Sequence, residues 1–306
     1  MPQRINSKGI DLSNTQEREL FLESVHKNAT MVPWKIGSLI DGEMVGGDNK
    51  IEIMAPADYM QEVGFLAEAT DEQIEVAVNT ARKSFSKWRL TSVEQRAGAL
   101  EKAAQYFEEE REKFVSLCAL ETGKTIQDAI DEVRETVDFC RYYASQARQL
   151  LNAPISLYGY TGELNELTLE AKGIFACISP WNFPLAIFVG QISAALVAGN
   201  AVLSKSAALS SITAYHAIEI FHRAGIPKDV LQFIICSGRK FSELVLKRNI
   251  VDGVAFTGST ETAQQINQSL AQNEMIPTYI AETGGLNAMI VDSTALLEHA
   301  TDDIIR

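Results

Sequence analysis

The stretch Val251-Asp252-Gly253-Val254-Ala255-Phe256-Thr257-Gly258-Ser259-Thr260 runs from a short apolar segment into glycine and hydroxyl residues, and helical spacing begins near Glu261. A strand that turns directly into a helix is the basic connection of an α/β sheet. The same rhythm appears on either side. Ile174 to Ile178, Ala201 to Leu203, Leu231 to Ile235 and Thr278 to Ala281 are further short β-like runs, separated by helical stretches. This alternation predicts a doubly wound parallel sheet over 174–282, with Gly258 and Ser259 at a strand's carboxyl end. A turn there gathers backbone N–H groups and the positive end of a helix dipole, which suits a pyrophosphate. Taken alone it is also an ordinary strand-to-helix connection.

Upstream, apolar residues recur at helical spacing from Asp71 to about Leu151, as in Ile74, Ala77, Val78 and Ala81, then Ala97, Leu100, Ala104 and Phe107. Several amphipathic helices are expected there. Between them and the sheet, Ile155 to Gly173 is turn-rich and alternating, and reads as a projecting β-hairpin. Asp11 to Leu39 is polar and mixed. Asp41-Gly42 and Gly46-Gly47-Asp48 then supply turns beside short apolar runs, which predicts a peripheral hairpin.

Composition excludes several classes. The 306 residues are 46% hydrophobic, enough for a large core, and 27 basic against 40 acidic side chains leave a net charge of −13. Such a charge repels nucleic acid and anionic lipid. The most apolar stretch, Phe183 to Leu203, contains Pro184, Gln191, Ser193 and Asn200, and reads as a buried helix entering a strand rather than a membrane span. The polar first thirty residues show no signal peptide, so a reducing, cytoplasmic location is expected, without disulfides. Cys118, Cys140, Cys177 and Cys236 lie far apart with no ligand spacing, so no metal site is expected.

Three motifs bear on chemistry. Gly123-Lys124-Thr125 tempts one toward a phosphate loop, but Cys118 stands where the required glycine would be, and Gly123 reads better as a helix cap. No G-x-G-x-x-G fingerprint is present. Ile178-Ser179-Pro180-Trp181-Asn182-Phe183-Pro184 ends a strand between two prolines that hold Trp181 and Asn182 in a rigid turn. A fixed amide donor suits oxyanion stabilisation, although asparagine is also a common turn residue. Ala281-Glu282-Thr283-Gly284-Gly285 sets a carboxylate at the end of an apolar strand, where α/β ligands bind.

These elements, in this order, resemble the aldehyde dehydrogenase superfamily, and the helices around Trp88, Arg96 and Glu121-Thr122-Gly123-Lys124 are similar to that family's amino-terminal portion. The resemblance implies an aldehyde dehydrogenase-like α/β fold. A Rossmann-like, doubly wound parallel sheet would be joined to an amino-terminal helical region and a projecting β-hairpin. Its parts would be an amino-terminal helical part of the cofactor-binding domain (1–154), an oligomerisation hairpin (155–173), a cofactor-binding part (174–284) and the start of a catalytic domain (285–306). It further implies that NAD lies against Ser179, Pro180, Trp181, Lys205, Gly258, Ser259 and Gly284. Lys205 would reach the adenosine ribose, Asn182 would donate to the oxyanion, and Glu282 would be the general base.

Within the superfamily, Arg4 to Asn14, Thr161 to Leu167, Ile178 to Phe188 and Ala281 to Ser293 look like the proline utilization A enzymes, whose dehydrogenase module oxidises L-glutamate γ-semialdehyde with NAD. The resemblance implies a small aldehyde substrate and a homo-oligomer. It departs at two points. Where the family reads Lys-Pro-x-Glu, this chain has Lys205-Ser206-Ala207-Ala208, so the ribose-binding carboxylate is missing. The family's nucleophilic cysteine follows the base by about thirty to thirty-five residues, a distance that Arg306 falls short of, and a thiolate is indispensable to the chemistry. Cys177, the cysteine nearest Asn182 in sequence, reads as a core residue. The chain alone is therefore expected to be inactive, and the competing reading is a non-catalytic dinucleotide-binding or subunit-pairing protein.

Overall fold

The computed structural model describes residues 5–305, and Arg4, the first residue of one of the stretches above, lies outside them. The chain opens with helix α1 (Thr15–Ala29), started by the Asn14 side chain, which accepts from the N–H groups of Gln16 and Glu17. Strands β1 (Trp34–Ile40) and β2 (Glu43–Val45) follow as an antiparallel hairpin. Its two-residue turn has Asp41 and Gly42 both at positive φ (52° and 75°), the backbone that a tight hairpin's twist demands. A second hairpin joins β3 (Lys50–Ala55) to β4 (Asp58–Ala67).

Four helices come next: α2 (Asp71–Trp88), α3 (Val93–Glu109), α4 (Arg111–Thr122) and α5 (Ile126–Leu150). Their boundaries follow from local chemistry. Thr70 with Gln73 and Ser92 with Gln95 form reciprocal capping boxes at the starts of α2 and α3. Gly123 ends α4 in the left-handed conformation (φ 71°), which only a residue without Cβ adopts freely, and Thr125 caps α5. The expected projecting hairpin is present as β5 (Ile155–Leu157) and β6 (Asn165–Leu167), with both strands largely exposed.

The remaining elements alternate as the sequence predicts: β7 (Ile174–Ile178), α6 (Ala186–Val197), β8 (Ala201–Lys205), α7 (Ser211–Ala224), β9 (Leu231–Phe233), α8 (Gly238–Phe241), β10 (Gly253–Thr257), α9 (Thr260–Leu270), β11 (Thr278–Glu282) and α10 (Leu297–Ile305). The strand order is β11-β10-β7-β8-β9-β1-β4-β3, and every pairing from β11 to β9 is parallel. Strand β8 is buried along its whole length, as a strand covered on both faces must be. Alternate residues feed two cores. Cys177, Val202 and Phe233 pack with Phe107, Phe188 and Phe221 on one face, while Ala176, Leu203 and Ile234 pack with Ile74, Val78 and Phe241 on the other.

Two regions differ from expectation. The first hairpin is not peripheral, because β1 pairs with β9 at Leu39 and Phe233 and with β4 at Trp34 to Gly37, extending the main sheet. The polar segment ahead of it contains α1, which buries only Phe21 and Val25 and so carries little amphipathic signal. Among the described residues no helix is long and apolar enough to cross a membrane.

Candidate functional site

Parallel register brings the ends of four strands to one edge. Ile178 lies beside Lys205 on one side and Phe256 on the other, and Thr257 lies beside Glu282. At that edge opens a cleft of ≈ 790 Å³ lined by Ser179, Pro180, Trp181, Lys205, Gly258 and Ser259, together with residues of α8, α9 and the turn after α8. Six of the seven expected dinucleotide contacts thus line one cleft. The seventh, Gly284, lies on the exposed segment beyond β11, with no heavy atom within 4 Å of where a Cβ would stand.

Each wall residue has an identifiable state. Lys205 is buried, and its Nζ donates to the Ser206 carbonyl (3.0 Å). Burial lowers its pKa, against an opposing pull from Cys236 and Glu68. Ser179 is buried with its Oγ unpartnered, an exception to the rule that buried polar atoms find partners. Ser259 caps α9 by accepting from the Thr262 N–H (3.2 Å). The Gly258 N–H is already used, donating to the Glu282 carbonyl (3.1 Å). The Glu261 carboxylate bonds its own N–H and the Ser259 hydroxyl, which lowers its pKa. The α9 N-terminus therefore already has an anion beside it, as its dipole favours.

Asn182 stands in the turn between Pro180 and Pro184, exposed and without a hydrogen bond among the described residues. It does not line this cleft. Glu282, also exposed, lies at the rim of a second, apolar hollow of ≈ 600 Å³ formed by Phe139, Tyr143, Ile187, Gln191, Thr257 and neighbours. Gln191 bridges the two strand ends there, donating to the Ile178 carbonyl (3.3 Å) and the Thr257 hydroxyl (3.1 Å). Position 208, where the resemblance implies a carboxylate, is an exposed alanine next to Ala207, which lines the cleft.

All four cysteines are free and buried, and burial raises each thiol pKa, to about 12 for Cys140 and about 11 for Cys236. Cys177 lies inside β7 with no cation among the causes of its shift. Among the described residues no group of three or more His, Cys, Asp or Glu could hold a metal ion.

Glu132 and Lys124 lie near the Asn182 turn, a placement that local spacing does not announce. Glu132 accepts from the N–H groups of Leu185 (2.8 Å) and Ala186 (3.1 Å) at the start of α6, and Lys124 lies 3.0 Å from its other oxygen. The available signal was an acid on the buried stripe of α5, between Ala129 and Val133.

A profile of the aldehyde dehydrogenase family matches residues 44–306. Among curated relatives, the bifunctional protein PutA of Salmonella typhimurium is 39% identical over 307 residues, covering 99% of this chain and 22% of its own length. The 1-pyrroline-5-carboxylate dehydrogenase of Geobacillus thermodenitrificans is 33% identical, covering 96% of this chain and 58% of its own length. Among solved structures, proline utilization A from Bdellovibrio bacteriovorus inactivated by N-propargylglycine superposes with a TM-score of 0.94 at 31% identity, over 100% of this chain and 32% of that one. The chain thus spans about a fifth to three-fifths of these relatives.

Proposed function

The chain belongs to the aldehyde dehydrogenase family, and from that premise we propose that it carries the dinucleotide-holding part of an NAD-dependent enzyme of proline catabolism that oxidises L-glutamate γ-semialdehyde to glutamate. The names of the similar proteins, PutA and 1-pyrroline-5-carboxylate dehydrogenase, support the substrate class. The observation that carries the dinucleotide reading is the cleft at the strand ends, lined by a buried Ser179 hydroxyl with no partner among the described residues, the Lys205 ammonium and the α9 N-terminus. Open α/β sheets bind ligands at that edge.

NAD, when bound, supplies the hydride acceptor. Lys205 would exchange its bond to the Ser206 carbonyl for the ribose hydroxyls, and Ser179 would find its missing partner on the ligand. Ser259 and the first turn of α9 would face the pyrophosphate, with the Glu261 carboxylate swinging away to make room. The Asn182 amide would donate to the oxyanion that develops on the aldehyde oxygen. Glu282 would take the proton from the attacking water. None of the four cysteines is assigned as nucleophile, because each is buried with a raised thiol pKa. The hairpin of β5 and β6, with Tyr158, Tyr160 and Leu164 exposed, would pair with another subunit.

Calorimetric titration with NAD tests the reading. Saturable binding that is weakened at least tenfold by Lys205→Met supports it. No heat at millimolar NAD from a folded chain would overturn it.

A further inference from the structure

The Gly123-Lys124-Thr125 tripeptide, which fails as a phosphate loop, takes part in a different device. Gly123 reverses the chain after α4, and Thr125 starts α5 by accepting from the Asp128 N–H (3.1 Å). Lys124 is thereby fixed between two helix ends, with its side chain mostly buried. Its Nζ sits 4.2 Å from the centroid of the Phe183 ring, within cation–π range, and 3.0 Å from Glu132 Oε2. The contact with Glu132 is a close ion pair across this turn.

The other oxygen of Glu132 reaches α6. The first amides of a helix have no acceptor within the helix, and the residue at the cap position of α6, Leu185, offers none from its side chain. Glu132 Oε1 takes both the Leu185 and the Ala186 N–H instead. One carboxylate therefore anchors the chain just after the Asn182 turn, while its cation partner covers the ring of the residue next to Asn182. Asn182 itself has no hydrogen bond among the described residues, so its direction depends on what holds its neighbours.

We propose that Lys124 and Glu132 are positioning residues that orient the Asn182 turn, Glu132 through the first amides of α6 and Lys124 through the face of Phe183. Their relevance to catalysis rests on the role given to Asn182 above. The loop-holding itself does not depend on that role. Removing one partner would leave the other as a buried charge without compensation, so the two act as a unit.

The test uses the 306-residue chain without dinucleotide. Hydrogen–deuterium exchange in Glu132→Ala should rise about tenfold at Leu185 and Ala186, with the α9 amides unchanged, and Glu132→Gln, which keeps an acceptor, should restore most of the protection. Lys124→Met should raise acrylamide quenching of Trp181, measured as the difference from Trp181→Phe, and Lys124→Arg should return it to the wild-type level. Unchanged exchange in Glu132→Ala overturns the proposal. So does a rise shared equally by α6 and α9, which would mark a general loss of stability. Should Glu132→Ala fail to fold, the Lys124 pair decides, and quenching equal in Lys124→Met and wild type counts against us. NAD binding by the wild type is scored separately, so failure of the functional reading leaves this result interpretable.

Discussion

Ser179 and Lys205 are joined through their backbones: the Ser179 N–H donates to the Lys205 carbonyl (3.1 Å), and the Ser179 carbonyl accepts from the Ala207 N–H (3.1 Å). The ladder between β7 and β8 thus continues past the strands, so that a buried hydroxyl and a buried ammonium face one cleft. Rigid backbone bonds hold the two side chains in place before any ligand arrives, which lowers the ordering cost of binding.

That geometry gives position 208 a measurable role. The residue after Ala207 begins a short helical turn at the cleft mouth, and alanine there offers the ribose no acceptor. Ala208→Glu should tighten NAD by roughly 1.5 to 3 kcal/mol, about tenfold to a hundredfold, the range for a hydrogen bond to a charged group. Calorimetry on both forms checks it; equal or weaker binding by the glutamate variant would remove this account of the position.

The sequence was informative where burial imposes a period. Strands β7 to β10 are bounded by turn residues and mostly buried, so their apolar runs stand out, and Gly123 announces a cap by its position after α4. Strand ends drifted by one or two residues, as with Val251 and Asp252, which precede β10 rather than begin it. The β3 and β4 hairpin leaves no clear alternation in the sequence. Its strands mix exposed and buried positions, and a bulge near Met54 breaks the alternation. That the candidate site residues meet at one edge was legible from their places at strand ends, because parallel register gathers those. Lys124 and Glu132 were not, because they meet the Asn182 turn through tertiary packing between helices that no local spacing encodes.

Glu121 gives a pH prediction. It is buried at the end of α4 and accepts from the N–H groups of Ile212 and Thr213 and from the Thr213 hydroxyl at the start of α7. Burial raises its pKa from 4.5 to about 7, against the pull of those three donors. A carboxyl with a raised folded pKa favours folding most below its unfolded pKa, and that contribution is lost as pH rises through about 7. Relative to Glu121→Gln, the wild type should therefore lose stability between pH 4.5 and about 7, by no more than about 3 kcal/mol. Urea unfolding of both forms across this range measures the difference; parallel pH profiles would show that the three donors cancel the burial.

Exposed apolar surface predicts self-association. It lies on the β5 and β6 hairpin and along the segment beyond β11, where Leu286, Ile290, Leu297 and Ile305 are exposed, whereas α7 is well buried. Light scattering after size exclusion should give a mass above the 33.7 kDa monomer. Tyr158→Ser with Leu164→Ser should lower the associated fraction if the hairpin is the pairing element. A monodisperse wild-type monomer would contradict the expectation.

The cysteines carry the sharpest expectation. Hydride removal in this family requires an adduct on a cysteine thiolate, and a thiolate needs solvent access together with a cation or helix start to lower its pKa. Cys118, Cys140, Cys177 and Cys236 are all buried, with thiol pKa values raised by desolvation. A thiol-specific colorimetric reagent should therefore label fewer than one of the four in the native chain and all four after denaturation. Supplied with glutamate semialdehyde and NAD, the 306 residues should produce no reduced cofactor above a buffer control. Turnover that disappears on Cys177→Ala would show that β7 opens far enough to expose that sulfur, and would overturn its assignment to the core. Turnover in a longer chain that includes the family's nucleophile, lost again on Glu282→Gln, would instead support the general-base role and leave Asn182 with an oxyanion to stabilise.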